Sequence, residues 1–346
     1  MESLNSEYNE CFNKIKSNWD KIAKPLDSLG KLENIVAKLG AIQGTVHPTC
    51  DKKCLVVLCA DNGIVDEGIS QSDQSVTRIC AENIAAKKTT VGIMAAQVDC
   101  DVIVYDVGIN FSGEIKNVVN KKIRSGTRNF LKEEAMTEAE VENAFSIGQE
   151  IVAACKDDGY ELICVGEMGI GNTTTSACVA ASILKTGAGF TAGRGAGLSN
   201  EGLCRKISVI DEAIKKYDLH NRNALEILRA VGGYDIAVMT GIYLAAKKYG
   251  MPVVLDGAIS MTAALVAERI QKGTVDYLIP SHISREPVGK ILCGELNLSP
   301  VLDAGMALGE GTGAVLFLGI LKTAVEVYEK SVPFSESNVE QYTRFN

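Results

Sequence analysis

The sequence predicts an α/β protein built on a mostly parallel sheet. Short apolar runs that end in glycine or aspartate alternate with segments of helical periodicity. The runs are mostly apolar and show no regular alternation with polar residues, which is typical of strands buried on both faces, and their alternation with helices favours parallel pairing. With 346 residues, 46% of them hydrophobic and 23% charged, the chain is long enough for a large domain and a smaller one.

Two amphipathic helices open the chain. Apolar residues recur at steps of three and four over residues 8–22 and again over 32–42, with a proline and a glycine between the two segments. Five strand-like runs follow: CLVVLCA (54–60), DVIVYDVG (101–108), ELICVGE (161–167), PVVLDG (252–257) and VDYLIP (275–280).

The second unit is expected to combine the two chain ends. Residues 1–45 and a mainly helical segment from about 310 to 346 would form a small helical domain. Residues 46–309 would form the large α/β domain. The segment after residue 330 has the composition of a polar tail.

Composition excludes several classes of function. A net charge of −8 disfavours nucleic acid as a partner. The sequence contains no run of 18 apolar residues, so we expect no membrane span. Cys59, Cys164 and Cys178 lie within apolar runs, so we expect buried free thiols and a cytoplasmic protein.

Metal and hydrolase chemistry are also disfavoured. His47, His220 and His282 have no spacing typical of metal ligands, and no nucleophile elbow is present.

Ligands of open parallel sheets bind beyond the carboxyl ends of the strands. The residues that follow the five runs are therefore the place to look: Asp61-Asn62-Gly63, Gly108-Ile109-Asn110, Gly166-Glu167-Met168-Gly169, Asp256-Gly257 and Ser281-His282.

The segment GEMGIGNTTTSA (166–177) leaves a strand, passes three glycines and enters a helix, with Asn172 and Thr173 as candidate cap residues. Backbone N–H groups at a helix N-terminus attract anions, and glycine lets a phosphate come close. A phosphate site is therefore one interpretation, and a tight turn is the other. The segment lacks the lysine of a P-loop.

A second glycine-rich segment, GAGFTAGRGAGL (187–198), must be a loop, and long glycine loops in compact domains are usually functional. Arg194 lies in it, and Lys206 follows near the start of the next helix. Either cation could meet a phosphate or carboxylate; a solvated surface charge is the alternative for each.

The third glycine-rich segment, LGEGTGAVLFLGI (308–320), places Glu310 between two glycines at the entrance of an apolar helix. This carboxylate is either a favourable charge at a helix N-terminus or a partly desolvated general base. The sequence alone leaves both open.

Eight ordered blocks carry a resemblance that covers nearly the whole chain: PLDSLGKLE (25–33), ADNGIVDEG (60–68), GEMGIGNTT (166–174), GRGAGL (193–198), VGGYDIAVMTG (231–241), VLDGAISMTAAL (254–265), LIPSH (278–282) and LGEGTGA (308–314). With them the chain resembles the nicotinate-nucleotide:dimethylbenzimidazole phosphoribosyltransferase family. The resemblance implies a doubly wound, Rossmann-like sheet with a small helical domain. It also implies a homodimer in which the N-terminal region helps complete the partner's site.

The implied reaction transfers the phosphoribosyl group of nicotinate mononucleotide to a benzimidazole base, with no cofactor and no metal. The resemblance implies that Glu310 is the catalytic base. For the donor it implies a site formed by Glu167, Gly169, Gly171 and Asn172, and a phosphate loop that contains Gly193, Gly195 and Gly197. Lys206 is a further candidate for contact with the donor. The acceptor pocket would contain Ser72, Cys80, Met168, Ile170 and Leu308.

Two positions depart from the family pattern. Asn62 stands where a histidine is usual, and Cys80 where some members carry a glutamine. The alternatives are a paralogue that uses a purine or phenolic acceptor and a non-catalytic nucleotide-binding subunit, against which the retained Glu310 argues. A dinucleotide-dependent oxidoreductase is disfavoured by incomplete glycine fingerprints.

Overall fold

A computed structural model describes residues 2–344. Its centre is a sheet of six parallel strands in the order β3-β2-β1-β4-β5-β6. The strands are β1 (Lys53–Ala60), β2 (Cys100–Gly108), β3 (Val119–Asn120), β4 (Leu162–Met168), β5 (Val253–Leu255) and β6 (Leu278–Pro280).

Helices cover both faces of this sheet. They are α1 (Glu2–Trp19), α2 (Lys31–Gln43), α3 (Ser75–Ala85), α4 (Thr90–Gln97), α5 (Glu138–Asp157), α6 (Asn172–Leu184), α7 (Asn200–Lys216), α8 (Ala224–Val231), α9 (Tyr234–Tyr249), α10 (Ala258–Ile270), α11 (Val288–Glu295) and α12 (Thr312–Lys330). Among these residues, no helix is both long enough and apolar enough to span a bilayer.

Strand β1 lies at the centre, and all its residues are buried. Val56 and Leu58 pack with α5 to α10, whereas Leu55 and Val57 pack with α1 to α4 and α12, because successive strand residues face opposite sides. The fold is thus the doubly wound α/β sheet that the resemblance implies.

The strand order creates a switch point. The chain runs outward from β1 to β2 and β3, then returns to the other side of β1 with β4 and continues to β5 and β6. Ligands of such sheets bind where the order reverses, at the carboxyl ends of the strands. This places the ends of β1 and β4 beside each other.

All five predicted strands are present. Strand β6 is shorter than its apolar run because residues 275–277 form a 3₁₀ turn before it. Strand β3 was not predicted, since its two residues are exposed and leave no apolar signal.

Helices from the two chain ends pack together. The ring of Trp19 in α1 lies 5.0 Å from that of Tyr328 in α12, and both helices share a core with one face of the sheet. The division into residues 1–45 plus 310–346 and residues 46–309 stays a prediction.

The segment predicted as a polar tail packs on the fold. Phe334 is buried, and its N–H donates to the carbonyl of Lys21 at 2.8 Å. The guanidinium of Arg344 pairs with Asp20 at 2.8 Å and with Asp27 at 2.7 Å. Its composition is polar, but one aromatic residue and one arginine anchor it.

Candidate active site

A cavity of about 160 Å³ opens at the carboxyl edge of the sheet, at the switch point. Five chain segments line it: the end of β4 and start of α6 (Gly166–Gly169, Asn172, Thr173), the loop before α7 (Gly195, Ala196), the end of β5 with the start of α10 (Asp256–Ser260), the segment after β6 (His282, Ser284, Glu286) and the segment before α12 (Ala307–Gly309).

The turn from β4 into α6 depends on two glycines. A Cβ at Gly169 would collide with the carbonyl oxygen of Ala60, so glycine lets the turn pack against the end of β1. Gly171 has a φ of 95° and is the N-cap of α6. The expectation that Asn172 or Thr173 caps the helix was wrong, because the left-handed turn is completed one residue earlier.

Asn172 instead donates its side-chain amide to the carboxylate of Glu167. Glu167 is buried, and burial followed by the charge of Asp235 raises its pKa well above the usual range. A carboxyl group therefore lies in the wall of the cavity with a strong tendency to hold a proton.

Gly309, Glu310 and Gly311, here called the base loop, all have left-handed backbone conformations, with φ of 84°, 61° and 87°. The N–H of Glu310 donates to the carbonyl of Glu167 at 3.2 Å. A Cβ at Gly166 would lie 2.5 Å from the carbonyl of Glu310, so β4 and the base loop touch along their backbones. The backbone of Glu310 is thus held against the end of β4.

The carboxylate of Glu310 is half-buried, and its Oε2 has no hydrogen-bond partner within residues 2–344. Burial, and then the charge of Asp256, raise the pKa of Glu310 above the usual value of a glutamate. An unpaired carboxylate with raised basicity, next to a cavity, has the properties of a general base.

Residues 193–197, here called the anion loop, border the other end of the cavity. Lys206 of α7 is fully buried, and its Nζ donates to Thr173 Oγ1 at 2.9 Å and to the carbonyl of Gly193 at 3.1 Å. Burial lowers its pKa to about 8. Lys206 thus joins the anion loop to the start of α6 and brings one positive charge beneath them.

The remaining contacts of this loop are few. Gln71 donates its side-chain amide to the carbonyl of Gly197 at 2.6 Å. Arg194 is exposed and donates to the carbonyl of Leu198 at 2.8 Å and to the side chain of Asn200. Its guanidinium is therefore occupied within its own loop.

The proposed acceptor residues are only partly together. Met168 and Leu308 line the cavity, and Leu308 is 55% exposed. Ile170 lines a smaller neighbouring cavity of about 70 Å³ with Gly171 and Asn172. Ser72 lines neither, and its N–H donates to Ser70 Oγ at 3.1 Å.

Cys80, on α3, is half-buried. Burial, and then the negative charge of Glu310, raise the pKa of its thiol. The thiol is therefore near enough to Glu310 for the charge of the carboxylate to act on it.

Half of the sequence-predicted donor residues line one cavity: Glu167, Gly169, Asn172 and Gly195. Gly171 lines the smaller neighbouring cavity, and Gly193, Gly197 and Lys206 line neither. Glu310, the predicted base, follows Gly309, which lines the larger of the two.

The sequence placed Asp256 and His282 after strand ends and made Thr173 a candidate cap residue, but it predicted no substrate contact for any of the three, although all of them line the cavity. Asp256 and His282 follow the ends of β5 and β6, so their position at the carboxyl edge was the available signal. Thr173 gave no signal beyond its place at the start of α6.

Comparison with known proteins shows which family the chain belongs to. A family model described as a phosphoribosyltransferase matches residues 5–339. A protein of Ruminiclostridium cellulolyticum named nicotinate-nucleotide–dimethylbenzimidazole phosphoribosyltransferase is 41% identical, over 99% of this chain and 98% of its own length. A protein of the same name from Clostridium perfringens is 39% identical, over 96% and 92%.

A solved structure gives the same result. The crystal structure of CobT from Thermus thermophilus superposes with a TM-score of 0.90 at 36% identity, covering 96% of this chain and 100% of that one. The sheet, the glycine-flanked glutamate and these matches over nearly the full length agree, and the chain belongs to the nicotinate-nucleotide–dimethylbenzimidazole phosphoribosyltransferase family.

Proposed function

We propose that the protein is an enzyme that transfers the 5-phosphoribosyl group of nicotinate mononucleotide to 5,6-dimethylbenzimidazole or a related base. The products are α-ribazole 5′-phosphate and nicotinate, and the reaction belongs to assembly of the cobalamin nucleotide loop. Family membership and the names of the relatives support this activity. The unpaired, half-buried carboxylate of Glu310, next to the lining residue Gly309, is the observation that carries it.

The chemistry needs one base and no general acid. The leaving nicotinate is a pyridinium whose nitrogen already carries positive charge, so the glycosidic bond breaks without protonation of the ring. The attacking benzimidazole nitrogen gains positive charge as it bonds to C1′, and a carboxylate near the other N–H removes that proton. Attack on the face opposite the nicotinate converts the β-linked ribose to the α product.

Glu310 is suited to this step. Its pKa is raised by burial and by Asp256, so it holds a proton more tightly than an ordinary glutamate does. The rate should therefore fall as the pH drops through this raised pKa, because the protonated carboxyl group cannot accept the proton.

The donor would lie across the cavity between Glu167 and the anion loop. We place the phosphate near Gly193, Gly195 and Gly197, with the buried charge of Lys206 behind them. Holding donor and acceptor in line in this way supplies much of the acceleration of a two-substrate reaction.

The acceptor ring would lie against Met168, Ile170 and Leu308, with Ser72 and Cys80 as its polar neighbours. Met168 and Leu308 border the same cavity as Glu167, Gly169, Asn172 and Gly195, and the charge of Glu310 contributes to the raised pKa of the Cys80 thiol. A benzimidazole ring held there would have its N–H near the carboxylate of Glu310.

We also propose a cytoplasmic homodimer. All eleven cysteines are free thiols, which fits a reducing compartment. Ile79, Ile93 and Leu316 are exposed on three helices of one layer, a feature typical of an interface. Light scattering should give twice the chain mass of 36.9 kDa, and a species with the mass of one chain would contradict the dimer.

The decisive experiment incubates the pure protein with nicotinate mononucleotide and a panel of bases, and follows nicotinate and nucleotide products by chromatography. Release of nicotinate that depends on a benzimidazole supports the proposal. Turnover with only purines or phenols would indicate a paralogue, and binding without release of nicotinate would indicate a non-catalytic subunit.

A further inference from the structure

Asp256 follows β5 and is buried beside the base loop. Its Oδ2 accepts the N–H of Gly311 at 3.1 Å, and its Oδ1 accepts those of Gly313 at 2.8 Å and Ala314 at 3.2 Å. One carboxylate thus receives three backbone donors from the residues that immediately follow Glu310.

These bonds replace the side-chain cap that α12 lacks. The N-cap of α12 is Gly311, which has no side chain, so the first N–H groups of the helix need acceptors from elsewhere in the fold. A carboxylate at a helix N-terminus is also favoured by the partial positive charge there. Asp256, which follows β5, supplies both the acceptor oxygens and the negative charge.

The contact matters because Glu310 is strained. Its φ of 61° lies in the left-handed region, which costs a residue with a side chain on the order of 1 kcal/mol or more. Such a conformation persists when the surroundings hold it. The backbone of Gly166 in β4 packs closely against the base loop, and Asp256, which follows β5, accepts the N–H of Gly311.

Few other charged groups face Glu310. Glu167, at the end of β4, accepts the N–H of Glu310 with its carbonyl, and the charge of Glu310 contributes to the raised pKa of Glu167 and of Cys80 on α3. His282, after β6, has its Nδ1 3.9 Å from Asp256 Oδ1 and 3.1 Å from Ser281 Oγ. Asp256 is the neighbouring charge that acts most strongly on the carboxylate of Glu310.

We infer that Asp256 is a positioning residue for the proposed transfer: it fixes the end of the base loop and the start of α12 through backbone hydrogen bonds to Gly311, Gly313 and Ala314. After burial, its charge is the second cause that raises the pKa of Glu310. This inference rests on the proposed function. It assigns Asp256 no contact with either substrate.

Asp256→Asn tests both parts. The amide keeps the shape and one acceptor oxygen for Gly313 and Ala314, but it removes the charge and turns an N–H group toward the N–H of Gly311. We expect kcat to fall by roughly tenfold or more, with the KM of both substrates within about threefold. The acid limb of the kcat profile should move to lower pH, because a negative neighbour no longer opposes ionisation of Glu310.

Glu268→Gln is the matched control. Its carboxylate also accepts two backbone N–H groups, those of Gly273 at 2.9 Å and Val275 at 3.1 Å. These lie before β6, at the opposite edge of the sheet from the cavity. This variant should keep the wild-type kcat and acid limb even if its melting temperature falls.

The outcomes separate the two proposals. Wild-type protein that forms no nucleotide product with any base overturns the proposed function itself. If the wild type is active and folded Asp256→Asn keeps its kcat or its acid limb, the inference about Asp256 is wrong.

Asp256→Ser, which is smaller and retains one hydroxyl acceptor, is measured in the same way if the asparagine variant melts below the assay temperature. Failure of both variants to fold would assign Asp256 to stability and also overturn the inference.

Discussion

The base loop and the anion loop border the same cavity but are held very differently. At the base loop, β4 and Asp256 contact the backbone on two sides, and a Cβ at Gly311 would collide with Leu55. At the anion loop, a Cβ at Gly193 or Gly195 would also be crowded, but one at Gly197 would meet nothing within 4 Å. The base loop is thus enclosed at Gly311, where α12 begins, whereas the anion loop has open space at Gly197.

The largest effect is expected at the base itself. Glu310→Gln keeps the shape of the side chain and removes its basicity, so kcat should fall by roughly 100-fold or more while substrate binding is largely kept. Steady-state kinetics with nicotinate mononucleotide and dimethylbenzimidazole measure this. Near-normal turnover would show that another group takes the proton.

Alanine at Gly311 and at Gly197 separates crowding from backbone strain. Both residues have left-handed conformations, with φ of 87° and 105°, so both variants carry a similar conformational penalty. Only Gly311 is also crowded, by Leu55 and by the carbonyl of Val165 at 3.2 Å. We expect Gly311→Ala to lower the free energy of unfolding by about 1–3 kcal/mol more than Gly197→Ala does.

Denaturant unfolding of the two variants gives this difference directly. Equal losses of stability would mean that Gly311 has as much room as Gly197, which would remove the contrast between these two positions.

A bulky residue in the anion loop should affect the donor. A Cβ at Gly195 would lie 2.8 Å from Thr173 Oγ1, the atom to which Lys206 donates, so Gly195→Val displaces the contact that joins the loop to α6. We expect the KM of nicotinate mononucleotide to rise roughly tenfold, with a smaller change for the base. A rise confined to the acceptor would assign this loop to the other substrate.

The smallest effect concerns acceptor choice. The pocket combines apolar walls with few polar groups, and apolar contacts discriminate by only about 1–3 kcal/mol. Benzimidazole, its methylated forms and some substituted analogues should therefore agree within roughly tenfold in kcat/KM, with adenine poorer. Competition between equimolar bases measures this, and a preference above about 100-fold for one methylated form over benzimidazole would contradict it.

Cys80 provides a way to sharpen this test. Cys80→Gln adds an amide that can donate and accept, so it should increase discrimination among the bases, whereas Cys80→Ser is a control of similar size. If the serine variant shifts selectivity as much as the glutamine variant does, the loss of the thiol explains the change.

The sequence predicted what depends on local composition. Buried strands are recognisable by uninterrupted apolar runs, and Glu310 stood out because two glycines flank it. Strand order could not be predicted, because it depends on pairing between segments far apart in the chain. For the same reason the role of Asp256 was missed: its partners, Gly311, Gly313 and Ala314, lie far along the chain, beyond β6 and two helices.

The cap of α6 shows a different limit. Asn172 and Thr173 are good cap residues by type, but the left-handed Gly171 precedes them and takes that position. Asn172 is then free to bond Glu167. Residue preferences alone do not decide between a cap and a side-chain contact in the site.

The path of the chain through the site has a consequence for folding kinetics. The base loop can take its shape only when β4, β5 and the start of α12 are in place, because Glu167, Gly166 and Asp256 all contact it. Since α12 is the last long helix along the chain, a growing polypeptide completes most of its sheet before this loop can close. Contacts of such large sequence separation form late and slowly, so a refolding molecule regains its secondary structure before it regains a working base.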